Sequence, residues 1–258
     1  MSPLPLRGRT ALVTGAGRGI GRGIALAMAA AGARVGLLSR TQSELDDACA
    51  EINAAGGTAV ALVADVGEGE QTRRAVARLV SQLGPVEILV NNAAVVWPLG
   101  PSWKVDPDEV SAALAINVVG PMALTGHVLP DMVGSGWGRI VNVSAAIAAH
   151  PSMLAGINTY ATSKGALEAH TLNLAAELHG TGVTANVYRP GTVDTSMQAY
   201  IREQPPEQIG AALHDRFTAM HSSGSLITPR ASATSLIGRV AGPKSGEIWD
   251  VNDPEPGP

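Results

Sequence analysis

Short apolar runs alternate with helix-length segments along almost the whole chain, and this alternation limits the fold more than any single motif does. Residues 10–14, 33–39, 58–64, 86–91, 139–144, 184–189 and 247–251 are strand-like, rich in Val, Leu, Ile and Ala. Helical stretches lie between them at about 19–31, 43–55 and 70–83, over a long segment after Pro107, and at 160–179. Strands that are apolar along their whole length are buried on both faces, which is the condition of a parallel sheet covered by helices on either side. The expected architecture is therefore α/β: a doubly wound parallel sheet of about seven strands, in one domain. The 258 residues suffice for it, and no linker, low-complexity block or repeat divides them. The Pro-rich ends, 1–5 and 254–258, read as loose termini.

Composition narrows the partners. A net charge of -4 without a basic stripe argues against nucleic acid or an anionic membrane surface. With aromatic residues at 3%, platforms for base stacking are scarce. No uninterrupted apolar run reads as long enough for a membrane span, and the N-terminus has no signal-peptide pattern. The single cysteine, Cys49, excludes an internal disulfide framework and a thiolate zinc site. His214 and His221 lack metal-ligand spacing, so no metal is expected. The reading is a cytoplasmic protein acting on a small molecule.

Two segments narrow the chemistry. Thr14-Gly15-Ala-Gly-Arg18-Gly19-Ile20-Gly21 joins the first strand to the first helix, where bare backbone amides can approach a dinucleotide pyrophosphate. Its spacing is not Gly-x-Gly-x-x-Gly, since Ile20 stands five after Gly15, and no Gly-Lys-Ser/Thr of an NTPase phosphate loop follows. Tyr160 and Lys164 stand four apart, on one face of a helix. An ammonium in that place lowers a phenol pKa from about 10. Each segment alone is weak, because such pairs occur on many solvated helices and a glycine turn is often only a turn. Together they describe an acid/base beside a dinucleotide, which is the equipment of an oxidoreductase.

Thr14-Gly-x-x-x-Gly19-x-Gly21, Asn91-Asn92-Ala93, Asn117, Tyr160-x-x-x-Lys164 and Pro190-Gly191, in this order, resemble the short-chain dehydrogenase/reductase family. The match is close over residues 7–195 and looser in the C-terminal strand. The resemblance implies hydride transfer between a nicotinamide and a carbonyl or alcohol carbon. It makes Tyr160 the acid/base, gives Lys164 the nicotinamide ribose as well as the Tyr160 pKa, and puts Asn117 in a water-mediated proton relay to Lys164. It also implies cofactor contacts from Gly15, Gly19, Ile20 and Gly21, from Asn92 and Ala93, from Asp65 and Val66 at the adenine, and from Pro190, Gly191, Val193 and Thr195 at the carboxamide. Asp65 can equally be a helix N-cap. Ala94 stands where the family usually has glycine.

The second strand ends Leu37-Leu38-Ser39-Arg40, with no carboxylate before Glu44. An acidic residue there would accept from a free ribose 2′-hydroxyl, whereas Arg40 offers a fork of donors to a 2′-phosphate. Arg18 can approach the same group from the glycine turn, beside Ser39. In the family a basic residue at either place goes with NADP, so NADP(H) is expected over NAD(H), and carbonyl reduction with it. The alternative for both arginines is a solvated charge.

One position departs from the family. Ser144 aligns with a small residue and Ala145 with the serine whose hydroxyl binds the substrate oxygen. Alternation along a strand turns Ser144 away unless the strand end is bent. Two readings stand: the strand end is bent enough for Ser144 to reach the oxygen, or the oxygen is held otherwise, with Ser152 in the long loop 146–158 as the candidate substitute. Ala145 also keeps open a reading from another class, a dinucleotide-binding sensor or scaffold with little turnover. Residues 195–227 are expected to form a mobile lid. Its Met197, Tyr200, Ile201, Leu213, Phe217 and Met220 either line a cavity for a small or medium apolar ketone or aldehyde, or are the packed faces of two short helices. The resemblance also implies a homo-oligomer, tetramer or dimer, and the helix after Tyr160, apolar on more than one side through Ala166, Leu167, Ala169, Leu172, Leu174 and Ala176, supports it.

Overall fold

A computed structural model describes residues 4–254 and contains one seven-stranded parallel sheet in the order β3-β2-β1-β4-β5-β6-β7. The strands are β1 (Thr10–Thr14), β2 (Arg34–Ser39), β3 (Thr58–Val63), β4 (Ile88–Asn91), β5 (Gly138–Val143), β6 (Val183–Arg189) and β7 (Ile248–Asp250). Every strand read from the apolar pattern is present, with bounds shifted by one or two residues. The ends read as loose termini lie largely outside the described residues.

Neighbouring residues of the central strands go to opposite faces, which is why both of them are apolar. Val13, Leu37, Val90 and Val141 pack beneath α1 (Gly19–Ala30), α2 (Gln42–Ala54) and α10 (Pro229–Val240), against Ile24, Met28, Leu45 and Leu236. Their neighbours Leu12, Leu38, Leu89 and Ile140 pack on the other face, against Leu79 of α3 (Gly69–Leu83), Leu124 and Met132 of α5 (Gly120–Ser135), and Leu174 of α6 (Asn158–Glu177).

β1 pairs with β2 on one side and with β4 on the other. The connections leave in opposite directions from this point, so the C-terminal strand ends part there and a crevice opens.

The long segment after Pro107 is interrupted. Asp106 accepts from Asp108 N at 2.9 Å and Pro107 opens α4 (Pro107–Leu114). A π-helical turn follows at Ala115–Val119, and α5 continues to Ser135. The whole run is 29 residues and holds an 18-residue window of mean hydropathy 1.5. The expectation that no apolar stretch has the length of a span is thereby corrected: by length and composition alone this helix, continuous through Gly120-Pro121, has it. Its Leu124, Val128 and Met132 lie against the sheet.

Candidate active site

The crevice at the β1/β4 divide is a cleft of about 410 Å³. At its floor Thr14 Oγ1 accepts from the backbone N–H of both Asn92 and Ala93, each at 3.0 Å, and Asn92 Nδ2 donates to Thr14 O at 2.9 Å. One hydroxyl thus latches the ends of β1 and β4 where their ladder stops. A Cβ on Gly21 would fall 2.2 Å from Gly15 O and 2.5 Å from Asn92 Nδ2, so only glycine lets α1 come this close to the strand ends. The helix has no side-chain cap, and its first backbone bond runs from Arg22 N to Arg18 O. The amides before Arg22 have no intrahelical acceptor, and the positive helix end lies at the cleft, which fits a diphosphate.

Ser39, Arg40, Asp65 and Val66 line the far end of the cleft with Gly17 and Arg18. Both arginines are paired. Arg18 Nη1 lies 3.3 Å from Glu44 Oε1, and Arg40 Nη1 lies 3.5 Å from Asp65 Oδ2. The guanidinium side chains are 66% and 62% exposed, so neither pair holds strongly. Asp65 is not the cap of α3, which begins at Gly69 after Glu68. Its Oδ1 accepts from Gly67 N at 2.9 Å, which closes the turn after β3.

Tyr160 reaches the cleft from the first turn of α6, and Lys164 follows one turn later. Burial pushes the Tyr160 phenol up to about 12 and draws the Lys164 ammonium down to about 8, the latter partly offset by the Glu168 carboxylate. The expected lowering of the Tyr160 pKa by Lys164 is therefore corrected. Lys164 Nζ is 5.7 Å from the tyrosine ring centroid and donates to Val143 O at 2.7 Å, while desolvation acts on the phenol directly. Glu168 itself is held by Arg189 of β6 through two bonds of 2.9 and 2.8 Å.

Asn117 occupies the centre of the π turn and is buried. Its Oδ1 accepts from Val95 N and its Nδ2 donates to Val95 O, both at 2.8 Å, and Nδ2 also donates to Ser163 Oγ at 3.1 Å. Ser163 Oγ in turn donates to Tyr160 O at 2.8 Å. The side chain ties the cleft wall to α6.

Ser144 lies one residue past the end of β5 and lines the cleft with Val143. It is 2% exposed, and its Oγ has no hydrogen-bond partner among the described residues. Ala145 is extended and packs with Tyr160 on the apolar cluster of Val96, Leu99 and Ile157. Ser152 is exposed, in the short turn Pro151–Met153, so the loop does not bring it to the cleft.

Most residues singled out in the sequence meet in this cleft: Gly15, Arg18, Gly19, Ile20, Asn92, Ala93, Pro190 and Thr195 join those already described. Gly21, Asn117 and Val193 stand behind the surface, and Gly191 is exposed but not part of the cleft lining. Val193 is buried in a short bridge to Ile227. The sequence reading missed Glu44 as part of the site, and also Val95, Val96, Trp97 and Ile116. The position of Val95 to Trp97 directly after Asn92-Ala93 was an available signal. The segment 195–227 forms α7 (Ser196–Glu203), α8 (Pro206–Ile209) and α9 (Ala211–Ser222). Met197 and Tyr200 line the cleft, whereas Ile201, Leu213 and Phe217 are core, so the two readings divide by residue.

Residues 9–206 match the family model described as short chain dehydrogenase. The ketoacyl reductase HetN of Nostoc sp. is 36% identical over 247 residues, covering 96% of this chain and 80% of that protein. Among solved structures, a putative NAD(P)-dependent gluconate 5-dehydrogenase from Beutenbergia cavernae with bound NADP aligns at TM-score 0.82 with 32% identity over 97% of either chain. An NAD+-bound xylitol dehydrogenase aligns at 0.85 with 25% identity, over 95% of this chain and 98% of that one. With the family model matching most of its length and relatives of this similarity, the chain belongs to the short-chain dehydrogenase family.

Proposed function

We propose that the protein is an NADP(H)-dependent reductase that converts the carbonyl of a small or medium apolar ketone or aldehyde to an alcohol. The observation that carries this reading is the pairing, in one cleft, of the Tyr160 phenol with the unpartnered Ser144 hydroxyl. The nicotinamide, when bound, supplies the hydride that the carbonyl carbon takes up. Tyr160, protonated up to about pH 12, gives its proton to the carbonyl oxygen as negative charge develops there. Ser144 Oγ donates a hydrogen bond to the same oxygen. Lys164, as an ammonium, stabilises the phenolate left on Tyr160, which solvent then reprotonates. Asn117 acts as a positioning residue, through Val95 and Ser163.

Arg18 and Arg40 support the choice of the phosphorylated cofactor, and the NADP in the gluconate 5-dehydrogenase-like structure agrees with it. Met197, Tyr200, Val96 and Trp97 give the substrate end an apolar wall. Kinship with a ketoacyl reductase favours reduction over oxidation. The same proposal includes a cytoplasmic homotetramer, because α6 exposes Ala166, Ala169, Leu172 and Ala176 along one side.

The test is NADPH consumption against a panel of apolar ketones and aldehydes, with Tyr160→Phe as control. Turnover in the parent and a loss of about 10²–10⁴-fold in the variant, with NADPH still bound, is the expected result. NADPH binding without turnover on any carbonyl favours the sensor or scaffold reading that Ala145 motivates.

A further inference from the structure

The far end of the cleft holds a feature that two arginines alone do not explain. Glu44 sits in the first turn of α2, with its side chain 30% exposed and its Oε1 3.3 Å from Arg18 Nη1. Its Cβ and its Oε2 each lie 2.8 Å from the point that a Cβ on Gly17 would occupy, and Ser39 Oγ lies 3.1 Å from that point. The carboxylate and the Ser39 hydroxyl therefore border one spot over the bare backbone of the glycine turn. The absence of a side chain at Gly17 is what lets Glu44 lie there.

We propose that Glu44 sets the balance between phosphorylated and unphosphorylated dinucleotides. This rests on the dinucleotide site proposed above. The carboxylate acts with opposite sign on the two cofactors. A ribose 2′-phosphate brought to Arg18 and Arg40 comes within reach of the Glu44 charge and is repelled by it. A free 2′-hydroxyl is a donor, and finds in Glu44 the acceptor that the end of β2 lacks. Specificity is a difference between two affinities, so one residue that weakens one ligand and strengthens the other shifts the ratio twice. Arg18 can leave Glu44 for a phosphate at small cost, since an exposed pair contributes little, but the carboxylate stays where it is. Asp65, which faces Arg40 and is also bound to Gly67 N, is held back by that bond and by its turn. The arginines thus make the site accept a 2′-phosphate, and Glu44 keeps it open to the unphosphorylated cofactor.

The test is equilibrium binding, read by titration calorimetry, of NADPH, NADH and the half-molecules 2′,5′-ADP and 5′-AMP to the parent, Glu44→Gln and Glu44→Asp. For Glu44→Gln, NADPH and 2′,5′-ADP are expected to bind about fivefold to tenfold tighter, and NADH and 5′-AMP about twofold to fivefold weaker. The gain for the phosphorylated ligands shrinks as salt is raised. Glu44→Asp keeps the charge and stays nearer the parent. An unchanged ratio in Glu44→Gln, or weaker NADPH binding because Arg18 has lost its support, overturns the proposal. A parent that binds NADH better than NADPH overturns the NADP(H) reading instead, and the Glu44→Gln ratio still decides the role of Glu44.

Discussion

Lys164 Nζ donates to the Val143 carbonyl at 2.7 Å, so the ammonium carried by α6 is anchored on the end of β5. It stands 5.7 Å from the ring centroid of Tyr160, close enough to stabilise a phenolate once one forms. In the resting arrangement burial dominates both groups, and it moves them in opposite directions: the phenol up to about 12, the ammonium down to about 8.

This fixes a pH dependence. A lysine with a lowered pKa is charged below about pH 8 and loses the charge above it, while Tyr160 keeps its proton throughout that window. The kcat/KM for carbonyl reduction is therefore expected to hold level below about pH 8 and to fall above it. Lys164→Arg retains the charge, so its alkaline limb moves to higher pH. Initial rates between about pH 6 and pH 10 check this; an identical limb in Lys164→Arg would assign it to another group.

The unpartnered Ser144 hydroxyl leads to a second expectation. Removing a donor to a developing oxyanion costs on the order of 10²-fold in kcat, and this is the expected effect of Ser144→Ala. Ser152→Ala, on the exposed turn, leaves kcat unchanged. Ala145→Ser changes it by less than about fivefold, because the donor is already present. Steady-state rates that put the loss on Ser152 would return the role to the loop.

Cofactor choice gives a third. Arg40→Asp replaces a donor fork by a negative charge next to Asp65, so the Kd for NADPH is expected to rise by about 10²-fold while that for NADH moves little. An NADPH affinity equal to the parent's would remove Arg40 from the ribose end.

Assembly gives a fourth. Ala169 is exposed at the middle of α6, on the side that also bears Ala166, Leu172 and Ala176. Ala169→Glu places a charge in any close pairing of this face with its symmetry mate. Light scattering should show the parent as a tetramer and the variant as a smaller species of unchanged circular dichroism. A parent that is a monomer at micromolar concentration would overturn the assembly.

The strands were legible because each is apolar on both faces, as Leu12 and Val13 or Ile140 and Val141 show, and only a sheet covered by helices on both sides asks for that. The glycine turn and the Tyr160–Lys164 spacing were legible for a similar reason: local geometry demands them. What escaped depends on distant partners. Glu44 was noted only as the first carboxylate after β2, yet it lies across the glycine turn from Arg18, 26 positions away. Ser144 was left in doubt by strand alternation, and only the packing just past the end of β5 shows that its hydroxyl is buried, lines the cleft and has no partner among the described residues. The lid was ambiguous because Met197 and Ile201 are equally apolar, and only the packing of α7 separates the one that faces the cleft from the one that faces the core.

The π turn at Ala115–Val119 accommodates one residue more than an α-helical turn would, and Asn117 is at its centre. Deleting any single residue between Pro107 and Asn117 would let the helix close to regular winding and turn Asn117 by about 100° relative to α5. Its amide would then swing off the Val95 backbone, and the first turn of α6 would lose the Ser163 contact with it. A one-residue deletion as far along as Ala115 is thus a lesion of the catalytic wall, although it removes no residue that lines the cleft. Genetic variation in this stretch should accordingly appear as exchanges of residue type at constant length, with insertions and deletions displaced to the surface turns on either side.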